Sequence, residues 1–263
     1  MIPDATELGS LLDFAVRVAR QAGEITQHYF KGSFAVERKA DNSFVTAADR
    51  EAERFLGASI KEAFPDDAIL GEEEGAKAGK SNRRWILDPI DGTYSFVHKV
   101  PLYGVLIGLE IDHEAVLGVV NLPAVDERVS AANGLGCFWN DRPAHVSSTE
   151  SLGDALLLAT DFGDFERHGF GRAAEMLQKQ VQERRTWGDV YGHVLVATGR
   201  AEVMLDPIMN VWDCAPLLPI LEEAGGTFTD WQGQRTIHGG NAISTNGRLF
   251  EAVMSTIRKA GES

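Results

Sequence analysis

The residues best suited to chemistry stand in one run, Trp85-Ile-Leu-Asp-Pro-Ile-Asp-Gly-Thr-Tyr-Ser-Phe96. Trp85–Asp88 reads as a short strand that delivers Asp88 at its tip, where Pro89, lacking an N–H, stops the ladder. Asp91-Gly92 makes a tight turn, and Thr93 begins a helix. Two carboxylates three residues apart on such a turn can converge on one point, and the carbonyl of Ile90 can join them. Hard oxygen donors of this kind suit Mg²⁺, which prefers octahedral oxygen coordination and keeps several waters. Just beyond, the N–H groups of Gly92 and Thr93 at a helix start form an anion site. The strand–turn–helix context favours a metal and phosphate site over a plain Asp-Gly turn. The spacing also argues against the DxDxT pattern of aspartyl-phosphate enzymes, because a proline intervenes and the acids are three apart, not two.

Other polar residues have two compatible roles on sequence grounds. Glu72, in Gly71-Glu72-Glu73-Glu74, belongs to a solvated acidic loop or to the same ligand set. Asp49 sits near a helix start, where it serves a capping box equally well. Asp213 opens a helix and gains from the positive end of its dipole. Asp189 at a helix start and Asp206 at an Asp-Pro turn are local structure, or they hold a cationic group by charge-assisted hydrogen bonds. Arg185, one residue before the Thr-Trp-Gly-Asp run, is placed for a substrate contact, though most such arginines are surface cations.

The chain has 263 residues, 44% of them hydrophobic, with 25 Lys plus Arg against 39 Asp plus Glu, a net charge of −14. Its length sets a prior of one or two domains and allows burial of roughly 70–75% of the unfolded surface. The acidic balance argues against nucleic acid or an anionic membrane as partner, since both call for surplus cations. An acidic protein that handles phosphate must borrow positive charge, most simply from a metal ion. No stretch reaches the roughly 18 apolar residues of a membrane helix. The acidic first residues, without a small-residue cleavage site, speak against a signal peptide. Cys137 and Cys214, far apart and without a CxxC, read as reduced thiols in a cytoplasmic protein. The seven histidines show no HxH or HExxH spacing, so zinc has little support.

Around these residues, apolar positions from Leu8 to Ala22 recur every three or four residues and predict a helix ending near Gly32. Thr46-Ala-Ala-Asp49 opens a second helix that stops before Pro65. Ala68–Leu70 is a short strand, and Tyr103–Ile111 with Ala115–Asn121 is a hairpin, followed by strands near Arg128–Ala132 and Gly136–Asn140. Beyond about residue 150 the rhythm alternates: strand Leu156–Thr160, helix Gly169–Val181, helix Asp189–Thr198, strand Glu202–Leu205, helix Trp212–Ala224, strand Ala242–Ser244, helix Leu249–Lys259. This suggests one α/β unit, 1–263, with an N-terminal lobe of about 1–145 and a C-terminal lobe of about 146–263.

Thr46-Ala-Ala-Asp49, Gly71-Glu72-Glu73, Asp88-Pro-Ile-Asp-Gly-Thr93 and Trp212-Asp213 with Glu223-Ala-Gly-Gly226 together resemble the inositol monophosphatase family of Mg²⁺-dependent phosphomonoesterases. The resemblance spans nearly the whole chain. It implies an α/β (α+β) fold, an alternating αβαβα layered sandwich, and usually a homodimer. It implies that Glu72, Asp88, the Ile90 carbonyl, Asp91 and Asp213 hold two or three Mg²⁺ ions. Asp91, Gly92, Thr93 and Asp213 would meet the substrate, while Glu72, Thr93 and Asp49 would serve catalysis. Within the family, Thr93-Tyr-Ser-Phe-Val97 and Arg185-Thr-Trp-Gly-Asp-Val-Tyr-Gly192 are most similar to the branch acting on histidinol phosphate. That substrate, a small phosphorylated amino alcohol, ends in an ammonium and an imidazole, which Asp189 and Asp206 would suit, with Arg185 as a further contact. The alternative is an inositol phosphate or related sugar phosphate. His193 stands where the branch leads one to expect an aromatic residue.

Overall fold

A computed structural model describes residues 3–39 and 44–261. Helix α1 (Ala5–Lys31) starts where Asp4 accepts the amides of Thr6 and Glu7, both at 2.9 Å, and it buries the stripe predicted from Leu8 to Ala22. The paired strands β1 (Val36–Arg38) and β2 (Phe44–Thr46) lead into α2 (Ala47–Ala63), whose capping box joins Thr46 and Asp49. Next come β3 (Ala68–Gly71), β4 (Gly75–Lys77), β5 (Arg83–Asp91) and the short helix α3 (Thr93–Val97). An antiparallel meander follows: β6 (Gly104–Ile111), β7 (Glu114–Leu122), β8 (Glu127–Ala132), β9 (Gly136–Trp139) and β10 (Arg142–Pro143). The β6–β7 turn places Asp112 and His113 both at positive φ, the geometry whose twist matches that of a two-residue hairpin.

The rest of the chain alternates, with β11 (Leu156–Ala159), α4 (Asp164–Arg167), α5 (Gly171–Gln178), β12 (Glu183–Arg185), α6 (Asp189–Ala197) and β13 (Val203–Asp206). It closes with α7 (Val211–Glu223), β14 (Thr227–Thr229), β15 (Ala242–Thr245) and α8 (Phe250–Gly261). Strands β3 to β10 form an eight-stranded sheet ordered β10-β9-β8-β7-β6-β5-β3-β4, in which only β3 and β5 run parallel. A five-stranded sheet, β12-β11-β13-β15-β14, is parallel across β12-β11-β13 and antiparallel beyond.

Strand alternation sorts the core into layers. Trp85, Leu87, Val105 and Ile107 face α1 and α2, packing with Leu8, Leu11 and Leu56. Their neighbours Ile86 and Leu106 face the other way, onto α6 and α7, whose far sides cover Met204 and Ala242 of the smaller sheet. The outer face of that sheet packs Leu157 and Leu205 against Phe165 of α4, Leu177 of α5 and Val253 of α8. The result is the αβαβα sandwich that the resemblance implied. Helix α7 lies close on the larger sheet because Gly108 and Gly118, directly opposed in register, clear a space for it. A Cβ on Gly118 would sit 2.0 Å from the Pro216 carbonyl. The short strands β1, β2, β4, β10, β12 and β14 and helix α4 were not predicted, and the helix expected over Gly169–Val181 is shorter. No helix of the described residues is long and apolar enough to cross a membrane.

Candidate active site

The central feature is an irregularity at the end of β5. Asp88 pairs with Leu106 and Asp91 with Gly104, so three steps along β5 match two along β6. Such a bulge bends the strand and re-aims its side chains. Pro89 sits within it, and β5 runs on to Asp91 rather than stopping at Asp88 as the sequence led one to expect, because the bulge accommodates a residue with no N–H to give the ladder. The Ile90 amide turns back to Asp88 Oδ1 at 2.9 Å, and Thr93 Oγ1 donates to the Ile90 carbonyl at 2.9 Å. That carbonyl, expected to face a metal, is thus engaged by the threonine expected to face phosphate; its second lone pair remains for another partner. Gly92 holds φ +78, a conformation glycine adopts without penalty, and a Cβ there would lie 2.9 Å from the Leu102 carbonyl and 3.2 Å from Asp189 Oδ2.

The middle-layer helices bring their N-termini to this bulge. Asp213, in the first turn of α7, accepts the Asn210 amide at 2.7 Å, and Asp91 Oδ2 accepts the Val190 amide of α6 at 2.6 Å. One carboxylate oxygen each from Asp88, Asp91 and Asp213 lies within 4.8 Å of the others. Asp88 is buried, and the other two are half-buried. Burial drives all three carboxyls to higher pKa, with Asp213 pushed up to about 7. Mutual repulsion adds to it: Glu72, Asp91 and Asp213 act on Asp88, while Asp189 and Asp213 act on Asp91. Helix N-termini offset part of this strain, as the Val190 and Asn210 amides show.

Glu72 stands beside the trio, its charge raising Asp88 and Asp213, while its carboxylate is paired with Lys39 at 2.7 Å. Lys39 also holds Glu73 at 2.6 Å. Asp49 lies outside the trio, with Oδ2 taking the Thr46 amide at 2.8 Å and the Thr46 hydroxyl at 2.6 Å. Its Oδ1 is buried with no hydrogen-bond partner among the described residues, and burial pushes the carboxyl up to about 6. This donor set fits a hard divalent cation. Several carboxylates are gathered where like charges repel, and one buried oxygen is left over for a ligand.

Next to the trio is a recess of about 180 Å³ whose walls include Asp91, Asp161, Asp164, Asp189, Asp206 and Asp213. Asp189 and Asp206, 17 positions apart in the sequence, therefore line one recess. Burial, then the Asp206 charge, pushes Asp189 up to about 7. A wider opening beside it adds Tyr94 and Ser95 to its lining. Arg185 lines neither space: its guanidinium pairs with Glu183 Oε2 at 2.9 Å, two residues back on the same face of β12. A larger depression of about 600 Å³ lies elsewhere, near α1 and β8, and both of its arginines pair with Asp141, Arg128 at 2.6 Å and Arg20 at 3.9 Å.

Several residues of the site escaped the sequence reading. Glu53 is buried on α2 and accepts the amides of Glu73 and Glu74 at 2.8 and 2.7 Å, fixing the turn that carries Glu72. Thr160, Asp161 and Asp164 follow β11, and their signal was available. They come just past the carboxyl end of a strand in a largely parallel group, where such sheets bind ligands.

A model of the inositol monophosphatase family matches residues 7–262. A histidinol-phosphatase of Chlorobaculum parvum is 41% identical over 248 residues, covering 94% of this chain and 96% of the relative. One from Mycobacterium tuberculosis is 36% identical over 252 residues, covering 94% and 97%. The crystal structure of the extragenic suppressor protein suhB from Bartonella henselae superposes with a TM-score of 0.89 at 28% identity, covering 95% of this chain and 99% of that one.

Proposed function

The chain belongs to the inositol monophosphatase family, whose members are metal-dependent phosphatases, and from that premise we propose that it hydrolyses L-histidinol phosphate to L-histidinol and phosphate with Mg²⁺. The observation that carries the reading is the convergence of Asp88, Asp91 and Asp213 beside a recess lined by Asp189 and Asp206. Asp88, Asp91, Asp213, Glu72 and the Ile90 carbonyl would hold the metal ions. When bound, these ions supply the positive charge that draws in the phosphate, stabilises the departing alkoxide and acidifies water. Gly92 and Thr93 at the start of α3 bind phosphate oxygens. Glu72 and Thr93 orient the attacking water, and Asp49, whose Oδ1 has no other partner among the described residues, would act through a further metal ion. Water attacks phosphorus in line, the new P–O bond forms as the bond from phosphorus to the substrate oxygen breaks, and a proton given up by the water ends on the departing oxygen, yielding alcohol and phosphate without a covalent enzyme intermediate.

Recognition follows from charge. Asp189 and Asp206 receive the ammonium and imidazole of the substrate by charge-assisted hydrogen bonds, which a neutral polyol cannot return in kind. The two relatives named histidinol-phosphatase support the same substrate. The test is phosphate release from L-histidinol phosphate and from myo-inositol 1-phosphate, each with Mg²⁺ and with EDTA. We expect at least tenfold higher kcat/KM on the amino alcohol ester, about the worth of one charge-assisted hydrogen bond, and none of this activity in EDTA. Equal turnover in EDTA would end the metal assignment, and faster turnover of the inositol ester would end the substrate assignment.

A further inference from the structure

His193 has no part in the mechanism above, yet it is wholly buried in α6. A polar ring there is costly unless its nitrogens are satisfied. Both are: Nε2 lies 3.1 Å from Asp206 Oδ2, and Nδ1 lies 2.7 Å from Ser244 Oγ. A carboxylate only accepts, so Nε2 carries the hydrogen and Nδ1 meets the serine hydroxyl. The other oxygen of Asp206 accepts from Thr160 Oγ1 at 2.9 Å, and that same hydroxyl oxygen accepts the Asp189 amide at 2.8 Å. One chain of hydrogen bonds thus runs from Ser244 on β15 through His193 and Asp206 to the first turn of α6. Asp206 lines the recess, and His193 stands behind it.

We propose that His193 is a positioning residue for substrate choice: its Nε2–H holds the Asp206 carboxylate in the orientation that receives the cationic end of the substrate. His193 and Thr160 each occupy one lone pair, one on either oxygen, and leave the remaining pairs for the ligand's N–H groups. Imidazole suits this task because, unlike lysine or arginine, it adds no obligatory positive charge to a recess that has to stay anionic. The aromatic residue expected at this position would leave both Asp206 Oδ2 and Ser244 Oγ without this partner. The inference rests on the substrate reading given above.

The experiment compares wild type, His193→Phe and His193→Gln, the last keeping a side-chain donor. KM and kcat are measured for L-histidinol phosphate and for p-nitrophenyl phosphate, which has no cationic end, and L-histidinol binding is measured by calorimetry. His193→Phe should raise KM for L-histidinol phosphate and weaken L-histidinol about tenfold, the scale of one charge-assisted hydrogen bond. Its kcat and its kinetics on p-nitrophenyl phosphate should stay within about twofold, and His193→Gln should recover most of the loss. In an Asp206→Asn background, His193→Phe should add nothing further. Should His193→Phe not fold, Ser244→Ala serves instead: a KM rise on L-histidinol phosphate alone supports the assignment, and an unchanged KM overturns it. A wild type that prefers L-histidinol phosphate while His193→Phe prefers it equally overturns the role of His193 alone. A wild type without that preference overturns the substrate reading and this inference with it.

Discussion

Asp91→Asn retains an oxygen for the Val190 amide, now 2.6 Å from Asp91 Oδ2, but removes one of three carboxylates whose ligand oxygens lie within 4.8 Å. Two full charges at 4.8 Å repel by about 3.5 kcal/mol at an effective dielectric of about 20. Burial and the neighbouring carboxylates raise the Asp91 pKa, which relieves part of that repulsion, so about 1–2 kcal/mol should be recovered at pH 8. A chain of this length unfolds with an entropy near 0.55 kcal/mol per kelvin, so the metal-free variant should melt about 2–4 °C above wild type. Mg²⁺ should act oppositely. At a hundred times its Kd it adds about 2.7 kcal/mol to wild type, near 5 °C. If the variant binds a hundredfold more weakly, about 0.4 kcal/mol remains, under 1 °C. Scanning calorimetry in EDTA and in a Mg²⁺ titration reads both shifts, and phosphate release should fall by more than the roughly 10–100-fold typical of residues behind a metal's ligands. A variant that melts lower than wild type in EDTA, yet gains as much from Mg²⁺, would refute the reasoning.

Gly92→Ala forces a side chain into φ +78 against the Leu102 carbonyl and Asp189. A stability loss of about 1–3 kcal/mol is expected, with kcat/KM down about a hundredfold; melting and phosphate-release assays check both, and wild-type kinetics would rule out the tight turn as the phosphate cradle. Gly118→Ala should lower Tm by several degrees through overlap with Pro216, and a neutral result would mean that α7 does not rest on this strand. The pH dependence has a definite sign. Asp49 at about 6 and Asp189 and Asp213 at about 7 all lie above the 3.8 of a free aspartate. Each carboxyl therefore favours the fold fully below about pH 4, and that contribution is lost as pH rises through 6 to 7. In EDTA, Tm should fall between pH 5.5 and 8, and Mg²⁺ should shrink the fall; a Tm that climbs steadily over that interval in EDTA contradicts the shifts.

What the residues disclosed on their own tracks how local each signal is. The capping box of Thr46 and Asp49 and the Gly92 turn into the helix at Thr93 are written within a few positions, and the structure reproduces them, whereas β5 continues through Pro89 to Asp91 because a bulge, which has no local signature, absorbs the proline. The long hairpin of β6 and β7 was equally plain, because both strands are almost wholly buried and apolar. By contrast β1 and β12 are three residues each and exposed throughout, so they carry no periodicity and owe their form to a neighbouring strand. Convergence of Asp213 with Asp88 is a matter of packing over more than a hundred positions, visible beforehand only through family resemblance. Lys39, paired with two glutamates, and the His193 chain had no local signature either.

Asp88 and Asp91 are mounted on the eight-stranded sheet, whereas Asp206 ends β13 of the five-stranded one, with Asp189 and Asp213 on the helices between. Neither sheet alone carries the candidate centre. During refolding, turnover should therefore be the last property to return, after secondary structure and after either half has compacted. If the proposed site is right, the same partition would let the tips of β11 and β13 drift toward new leaving groups while the carboxylates of β5 stay unchanged.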